Sequence, residues 1–123
     1  MTLTNTGFAG VAALVQTYDY IAVGTDATPA QDTDTALLAE SAVSGMTRDI
    51  GTVTADTTVV TNDTSQVILT MTNGSVATTV AVTEYGLFAD AAAGIMLDRQ
   101  VDSAVNVAAG NSLQITYRTQ ISA

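Results

Sequence analysis

The end of the sequence, residues 112–121, alternates between apolar and polar side chains. The apolar positions of this segment are Leu113, Ile115, Tyr117 and Ile121, and the polar positions are Ser112, Gln114, Thr116, Arg118 and Gln120. Side chains along a β-strand point alternately to the two faces of a sheet. The pattern therefore predicts an antiparallel strand with one face on a core and the other in solvent. A chain with such a segment has to build a sheet around it.

Similar short segments recur along most of the chain, and threonine, which suits a pleated surface, is frequent among them. The predicted strands are 18–24, 43–48, 52–61, 66–72, 75–88, 95–101, 104–107 and 112–121. Residues 25–35 read as a polar loop, and 36–42 as either a helical turn or an irregular segment. About seven or eight short strands with turn signals every ~8–12 residues predict an all-β fold, an antiparallel, jelly-roll-like β-sandwich. At 123 residues the chain forms one domain, with an N-terminal helical segment at 1–15 and the sandwich at 16–123.

One hairpin is predicted in detail, because Asn73-Gly74 is a preferred pair in a two-residue primed turn. A tight turn there places the flanking segments in a fixed register. The cross-strand partners are then Met71 with Val76, Leu69 with Thr78, and Val67 with Val80.

The N-terminal segment predicts a short amphipathic helix over residues 4–15. Its apolar stripe consists of Phe8, Val11, Ala12 and Val15, at the i, i+3, i+4 and i+7 spacing of one helical face. A helix this short needs a surface to lie on. It packs either on the sheet of its own chain or on a neighbouring subunit, and in the second case Phe8, Val11 and Val15 are interface residues.

The charge balance excludes several classes of partner. Twelve acidic residues face three arginines, with no lysine or histidine, for a net charge of −9. Nucleic acids and anionic membranes bind through clusters of basic residues, so neither is expected as a partner. Such a surface is typical either of proteins that work at high salt, where charges on neighbouring subunits are screened, or of ordinary acidic proteins that their charge keeps in solution.

The side chains available for catalysis are few. Without His, Cys or Lys, the usual base for an activated nucleophile is missing. Glu40 and Glu84 are the two glutamates that could form a glycosidase pair, but nothing in the sequence brings them together. We therefore expect a protein that is not an enzyme and uses no cofactor.

Three aspartates in the polar loop, Asp26, Asp32 and Asp34, are weak candidates for a Ca²⁺ site. The alternative, a solvated acidic loop, is favoured because the glycine and terminal glutamate of a calcium-binding loop are missing.

Arg99 and Arg118 lie on predicted strands of an acidic protein. They are expected to pair with carboxylates within the domain or to anchor an interface.

Two glycosylation sequons begin at Asn62 and Asn73, but we expect neither to carry a glycan. The four tyrosines are Tyr18, Tyr20, Tyr85 and Tyr117. They either line a carbohydrate site or bury their rings in the sheet.

Taken in order, several motifs resemble those of small virion proteins encoded by tailed bacteriophages and archaeal tailed viruses. They are Val23-Gly24, Thr35-Ala36-Leu37 with Glu40, Thr83 to Phe88 (TEYGLF), Met96-Leu97 with Arg99, and Asn111 to Tyr117 (NSLQITY). The resemblance covers most of the chain and brings no catalytic residues. The absence of lysine departs from it and leaves the host open.

The resemblance implies a β-sandwich component of the virion. Our first interpretation is a capsid decoration or turret protein that stabilises the shell as a homo-oligomer. Its partners are then the major capsid protein and copies of itself, arranged as a trimer or pentamer. The alternatives are a tail or tail-fibre component and, from another class, a receptor- or carbohydrate-binding module.

Overall fold

The computed structural model describes residues 1–122, which form one helix and seven antiparallel strands. The elements are α1 (Asn5–Val15), β1 (Tyr20–Gly24), β2 (Asp49–Ile50), β3 (Thr52–Asp56), β4 (Thr64–Thr72), β5 (Val80–Phe88), β6 (Met96–Val107) and β7 (Ser112–Gln120). A four-stranded sheet has the order β2-β1-β5-β6 and a three-stranded sheet the order β3-β4-β7. The prediction of an all-β antiparallel sandwich with a short N-terminal helix is confirmed.

The main core lies between the two sheets and contains side chains from both. Its buried members are Ile21, Val23, Met46, Val67, Leu69, Met71, Val80, Val82, Leu87, Val107, Ile115 and Tyr117. In β7 the alternation read from the sequence is confirmed, since Ile115 and Tyr117 are buried and the even-numbered residues are exposed. The alternation works because β7 has solvent on one face and the core on the other.

The prediction of a hairpin at Asn73-Gly74 is wrong. β4 and β5 belong to different sheets, and β4 pairs instead with β3 and β7. A primed turn needs positive φ at its central residues, and neither Asn73 nor Gly74 has it. Asn73 is fully buried, and its amide Nδ2 donates to the carbonyls of Thr78 (2.7 Å) and Val107 (2.8 Å). The asparagine therefore fixes the crossing from one sheet to the other.

Other strand predictions also differ, and the choice left open for residues 36–42 is resolved. Residues 43–48 bend instead of forming a strand, because Gly45 has φ +80° and the amide of Met46 bonds back to the carbonyl of Val43 (2.9 Å). Residues 36–42 take the irregular alternative. The two predicted strands 95–101 and 104–107 are one strand, β6, whose pairing with β5 shifts register between Val82 and Glu84.

The helix begins as predicted. Thr4 is its N-cap, with the side-chain oxygen accepting the amide of Gly7 at 3.1 Å. α1 packs against β4 and β7 of its own chain, with Ala12 fully buried. Leu14 remains 68% exposed and Val11 37% exposed. Within residues 1–122, no helix has the length and apolar character needed to cross a membrane.

Candidate functional site

The most elaborate polar structure of the molecule surrounds the long connection between β1 and β2, residues 25–48, which we call the β1–β2 loop. Its Leu37 is buried against Ala22 and Phe88. Ala22 lies between two core residues of β1, Ile21 and Val23, and so points to the opposite face of the sheet. The loop thus covers the face of the four-stranded sheet that is turned away from the main core.

Glu84 of β5 holds this loop by its carboxylate, which is fully buried. Oε1 accepts the backbone amide of Leu38 (2.9 Å), and Oε2 accepts those of Ala39 (2.8 Å) and Asp26 (3.2 Å). Gly24 of β1 leaves room for this arrangement, because a Cβ there would collide with Glu84 Oε2 and lie 2.5 Å from the carbonyl oxygen of Ala39. One carboxylate therefore joins the start of the loop, at Asp26, to its middle, at Leu38 and Ala39.

Arg99 of β6 completes the cluster from the neighbouring strand. Its Nε donates to Glu84 Oε1 (3.0 Å), one Nη to Asp34 Oδ2 (3.1 Å) and the other to the carbonyl of Thr28 (3.0 Å). Asp26 Oδ1 lies 3.9 Å from the Nη that donates to Thr28. Burial alone would lower the pKa of Arg99, but the hydrogen bonds to Glu84 and Asp34 outweigh it and raise the pKa above the ordinary value. The guanidinium stays charged and bound.

These contacts bear on two predictions from the sequence: Arg99 as an interface residue and the loop aspartates as a metal site. The Arg99 side chain is only 1% exposed, so it cannot anchor an interface, and the alternative of pairing within the domain is the one that the structure has. Asp26 and Asp34 are drawn towards this arginine, while Asp32 is exposed. Among residues 1–122, no three acidic side chains are grouped closely enough to hold a metal ion.

A second arginine, Arg48, closes the other end of the β1–β2 loop. Its guanidinium carbon lies 3.5 Å from the centroid of the Phe88 ring, a cation–π contact. One Nη donates to Glu40 at 2.7 Å and the other to the carbonyl of Ala93 at 2.8 Å. Glu40 and Glu84, the glutamates considered for catalysis, therefore each hold a different arginine.

The third arginine, Arg118, lies on the exposed face of β7 and pairs with Asp56 of β3 at 2.7 Å. The side chains are 48% and 39% exposed, so solvent weakens the attraction. With Arg48 and Arg99 already paired, all three cationic side chains of the sequence are bound to carboxylates of the same chain. Arg118 keeps enough exposure to meet a neighbour, whereas the other two do not.

Asp63, in the turn before β4, is a further buried carboxylate that the sequence did not single out. It accepts the amides of Thr58 (2.9 Å), Val59 (3.1 Å) and Val60 (3.0 Å), and the hydroxyl of Ser122 also donates to it. Burial by itself would raise the pKa of Asp63, but these hydrogen bonds hold it well below the ordinary value. The carboxylate ties the β3–β4 turn to the end of β7.

The two sequons differ in their surroundings. Asn62 is exposed, with φ +58°, while the burial of Asn73 leaves no room for a glycan. The tyrosines do not form an exposed cluster. Tyr18 and Tyr85 pack against the main core, Tyr20 packs beside Phe88, and Tyr117 is buried.

A groove of about 430 Å³ opens between the free edges of β6 and β7. It is lined by Tyr85, Gln100 and Asp102 from the four-stranded sheet and by residues 113–118 of β7. Burial, and secondarily the charge of Asp102, raise the pKa of Tyr85. Burial and the hydrogen bond to Asp98 raise that of Tyr117, so both phenols stay neutral. The groove offers an apolar floor and polar walls without an activated nucleophile.

The residues that organise these clusters were only partly visible in the sequence. Glu84 is the single charged residue of β5, and Arg99 is the single basic residue of the next strand, β6. That combination was the available signal for an internal ion pair. No protein-family model matches the sequence, and no curated protein matches it.

Proposed function

We propose that this chain is a structural protein of a virion, a capsid decoration or turret subunit that stabilises the shell as a homo-oligomer. The resemblance of its ordered motifs to small virion proteins gives the class. The observation that carries the proposal is the use of the charged side chains. All three arginines are bound to carboxylates of the same chain, two of them within the clusters that fix the β1–β2 loop. Charges used in this way support a rigid covering module better than a catalyst.

The surface for self-association is the outer side of α1 in this proposal. Ala12 attaches the helix to its own sandwich, while Leu14 and Val11 are exposed to solvent, as is Leu3 in the segment before the helix. Phe8 and Val15 are half-buried and flank the attached side. Apolar side chains grouped on an exposed helix favour contact with another subunit. The helix then packs on its own chain and on a neighbour at once.

Salt is expected to control this association. Copies that each carry a net charge of −9 repel one another in dilute salt. The Debye length falls from about 10 Å at 0.1 M to about 3 Å at 1 M, so molar salt removes most of the repulsion. The test is the mass measured by light scattering in dilute and molar salt. A trimer or pentamer at molar salt that dissociates on dilution of the salt supports the proposal, and a monomer under both conditions contradicts it.

A substitution locates the interface better than deletion of residues 1–15, because the deletion would also uncover the sheet beneath Ala12. Leu14→Gln keeps a good helix former and removes the exposed apolar group. Val76→Gln is the matched control, since Val76 is 99% exposed in the loop between β4 and β5. The oligomer should be lost in the first variant only. Equal assembly of both variants would exclude α1 as the interface.

The tail component remains the alternative within the same class, and addition of the purified protein to capsids or to tails separates the two. The receptor- or carbohydrate-binding alternative was tied to clustered exposed tyrosines. The burial of Tyr117 and the packing of the other three rings give it no support.

A further inference from the structure

The groove beside β7 has the geometry of an unfilled strand position. The three-stranded sheet ends at β7 and the four-stranded sheet ends at β6, and residues of both edge strands line the groove. The groove is lined by six consecutive residues of β7, 113–118, so its wall is the backbone edge of that strand. A second cavity, of about 350 Å³, continues along β7 through residues 117–120. Together they follow most of the strand.

The hydrogen-bonding direction of β7 can be read from its two ends. The amide of Asn73 donates to the carbonyl of Asn111 (2.8 Å), and that of Ile121 donates to the carbonyl of Asp63 (3.0 Å). Both bonds join odd-numbered residues, and the register of β4 with β7 runs unbroken between them. Because bonded pairs alternate in an antiparallel ladder, the even-numbered residues of β7 direct their N–H and C=O groups away from β4. Gln114, Thr116 and Arg118 thus present free backbone groups to the groove.

The side chains facing the groove suit an inserted strand. Leu113, Ile115 and Tyr117 of β7 line its inner side together with Tyr85 of β5. An added strand that pairs with β7 turns every second side chain towards this apolar surface and the others to solvent. The inserted segment therefore needs an alternating apolar and polar pattern.

The edge of β7 has few of the devices that usually protect an edge from pairing, since its one charged residue, Arg118, is already bound to Asp56. The nine residues of the strand pair with β4 without a register shift and include neither Pro nor Lys. By contrast, the pairing of β6 with β5 has two register shifts, and β3, at the other edge of the three-stranded sheet, has five residues. β7 is the long regular edge of the sandwich.

Charge distinguishes between two possible occupants of the groove, a second copy of this chain and a segment of another protein. Asp102 lines the groove, and Arg118, its one cationic residue, is already paired with Asp56. A second copy brings a net charge of −9 and arginines that are all bound within their own chain. A basic segment of another protein complements the groove, whereas a copy of this chain does not.

We propose that the free edge of β7 is a docking site for an extended basic segment of another protein, which pairs with Gln114, Thr116 and Arg118 and completes the three-stranded sheet. The docking site adds a second partner surface to the proposed virion protein. It rests on that proposed function only in taking the ligand to be a polypeptide. The self-association surface on α1 is separate. The salt-dependent mass and the strand addition can therefore fail independently of each other.

The test supplies a strand by covalent attachment, so that weak binding is still detected. The full chain is extended after its last residue by a flexible Gly/Ser linker of about ten residues and a nine-residue valine–threonine alternating segment with lysine at both ends. A short flexible linker gives an effective concentration in the millimolar range. The matched control carries glutamate in place of the two lysines. Amide hydrogen exchange is measured at Gln114, Thr116 and Arg118.

Docking slows exchange at these three amides about tenfold or more in the lysine-bearing chain, and less in the glutamate-bearing chain. Thr116→Pro removes one free N–H without touching the ladder to β4, and it should abolish the protection at Gln114 and Arg118. Thr116→Val keeps the N–H and should retain it. Unchanged exchange with both attached segments overturns the proposal. So does protection of these amides in the unextended chain that grows with protein concentration, because the occupant is then a second copy.

Discussion

Replacing Glu84 with glutamine removes the charge at the centre of the β1–β2 loop while keeping the shape of the side chain. Oε1 accepts the N–H groups of Leu38 and Arg99, and Oε2 accepts those of Ala39 and Asp26. An amide has only one acceptor oxygen. In either orientation, two donors of this buried site then face an NH₂ group.

The cost follows from these lost acceptors. Each buried donor left unsatisfied costs about 1–3 kcal/mol, which gives about 2–6 kcal/mol for two. Breaking a buried ion pair by removing one partner costs about 3–5 kcal/mol, in agreement with that range. Arg99 keeps its bonds to Asp34 and to the carbonyl of Thr28. We therefore expect Glu84→Gln to lower the free energy of unfolding by about 4 kcal/mol.

The assay is urea denaturation followed by circular dichroism at neutral pH. With a slope of about 2 kcal/mol/M, the midpoint should fall by about 2 M. Asp56→Asn is the matched control, because it makes the same change in the exposed pair with Arg118 and should cost at most about 1 kcal/mol. Amide exchange at Leu38 and Ala39 should accelerate in the first variant only. A loss below 1 kcal/mol, or equal losses in both variants, would refute the argument that the buried carboxylate fixes the loop.

Four further predictions concern substitutions of single residues other than Glu84 and Asp56. Asn73→Ala should destabilise by about 2–4 kcal/mol in the same assay, because its amide bonds two carbonyls at the sheet crossing. Gly24→Ala should cost about 1–3 kcal/mol by overpacking against the carbonyl of Ala39, read as a lower melting temperature. Ser65→Ala should be neutral or stabilising by up to about 1 kcal/mol, since its hydroxyl is the buried side-chain group without a hydrogen-bond partner in residues 1–122. The lowered pKa of Asp63 means that its stabilisation is complete above about pH 5 and is lost as pH falls through its folded value, so Asp63→Asn should flatten the acid limb of the stability curve.

The sequence predicted those elements whose signal is local. The alternation in β7 and the apolar stripe in α1 are periodic patterns within a dozen residues. In β7 the polar positions face solvent, which is why the alternation is visible in the sequence. The fold class followed from the number of such segments, because several short half-buried strands have few ways to bury their apolar faces.

The hairpin failed because a strong local signal was overridden by a contact distant in sequence. Asn73-Gly74 suits a primed turn by itself, yet the asparagine amide bonds Val107, which lies 34 residues away. The outcome depends on which strands become neighbours, and the local turn preference carries no information about that. The same holds for the β1–β2 loop, where Leu38 meets Glu84 across 46 residues and Thr28 meets Arg99 across 71.

The sequence predicted which types of residue would meet in the candidate site, but it did not predict which residues would pair. An arginine in a strand of an acidic protein was expected to meet carboxylates, and Arg99 does so inside the domain. Glu84 and Arg99 lie on adjacent strands, but the register that brings them together includes a shift beside Glu84. A simple alternating register counted from the sequence would not have included that shift.

The placement of the arginines makes salt a means of separating the two proposed surfaces. Because every arginine is bound within the chain, the charge that faces a partner is dominated by carboxylates. Association of like copies through α1 must then strengthen as salt shortens the Debye length. Docking of a basic segment beside Asp102 must weaken over the same range, because its attraction is screened too. The two surfaces therefore respond to salt with opposite sign, and a single salt series on the lysine-extended chain reads both: the mass rises while protection of Thr116 falls.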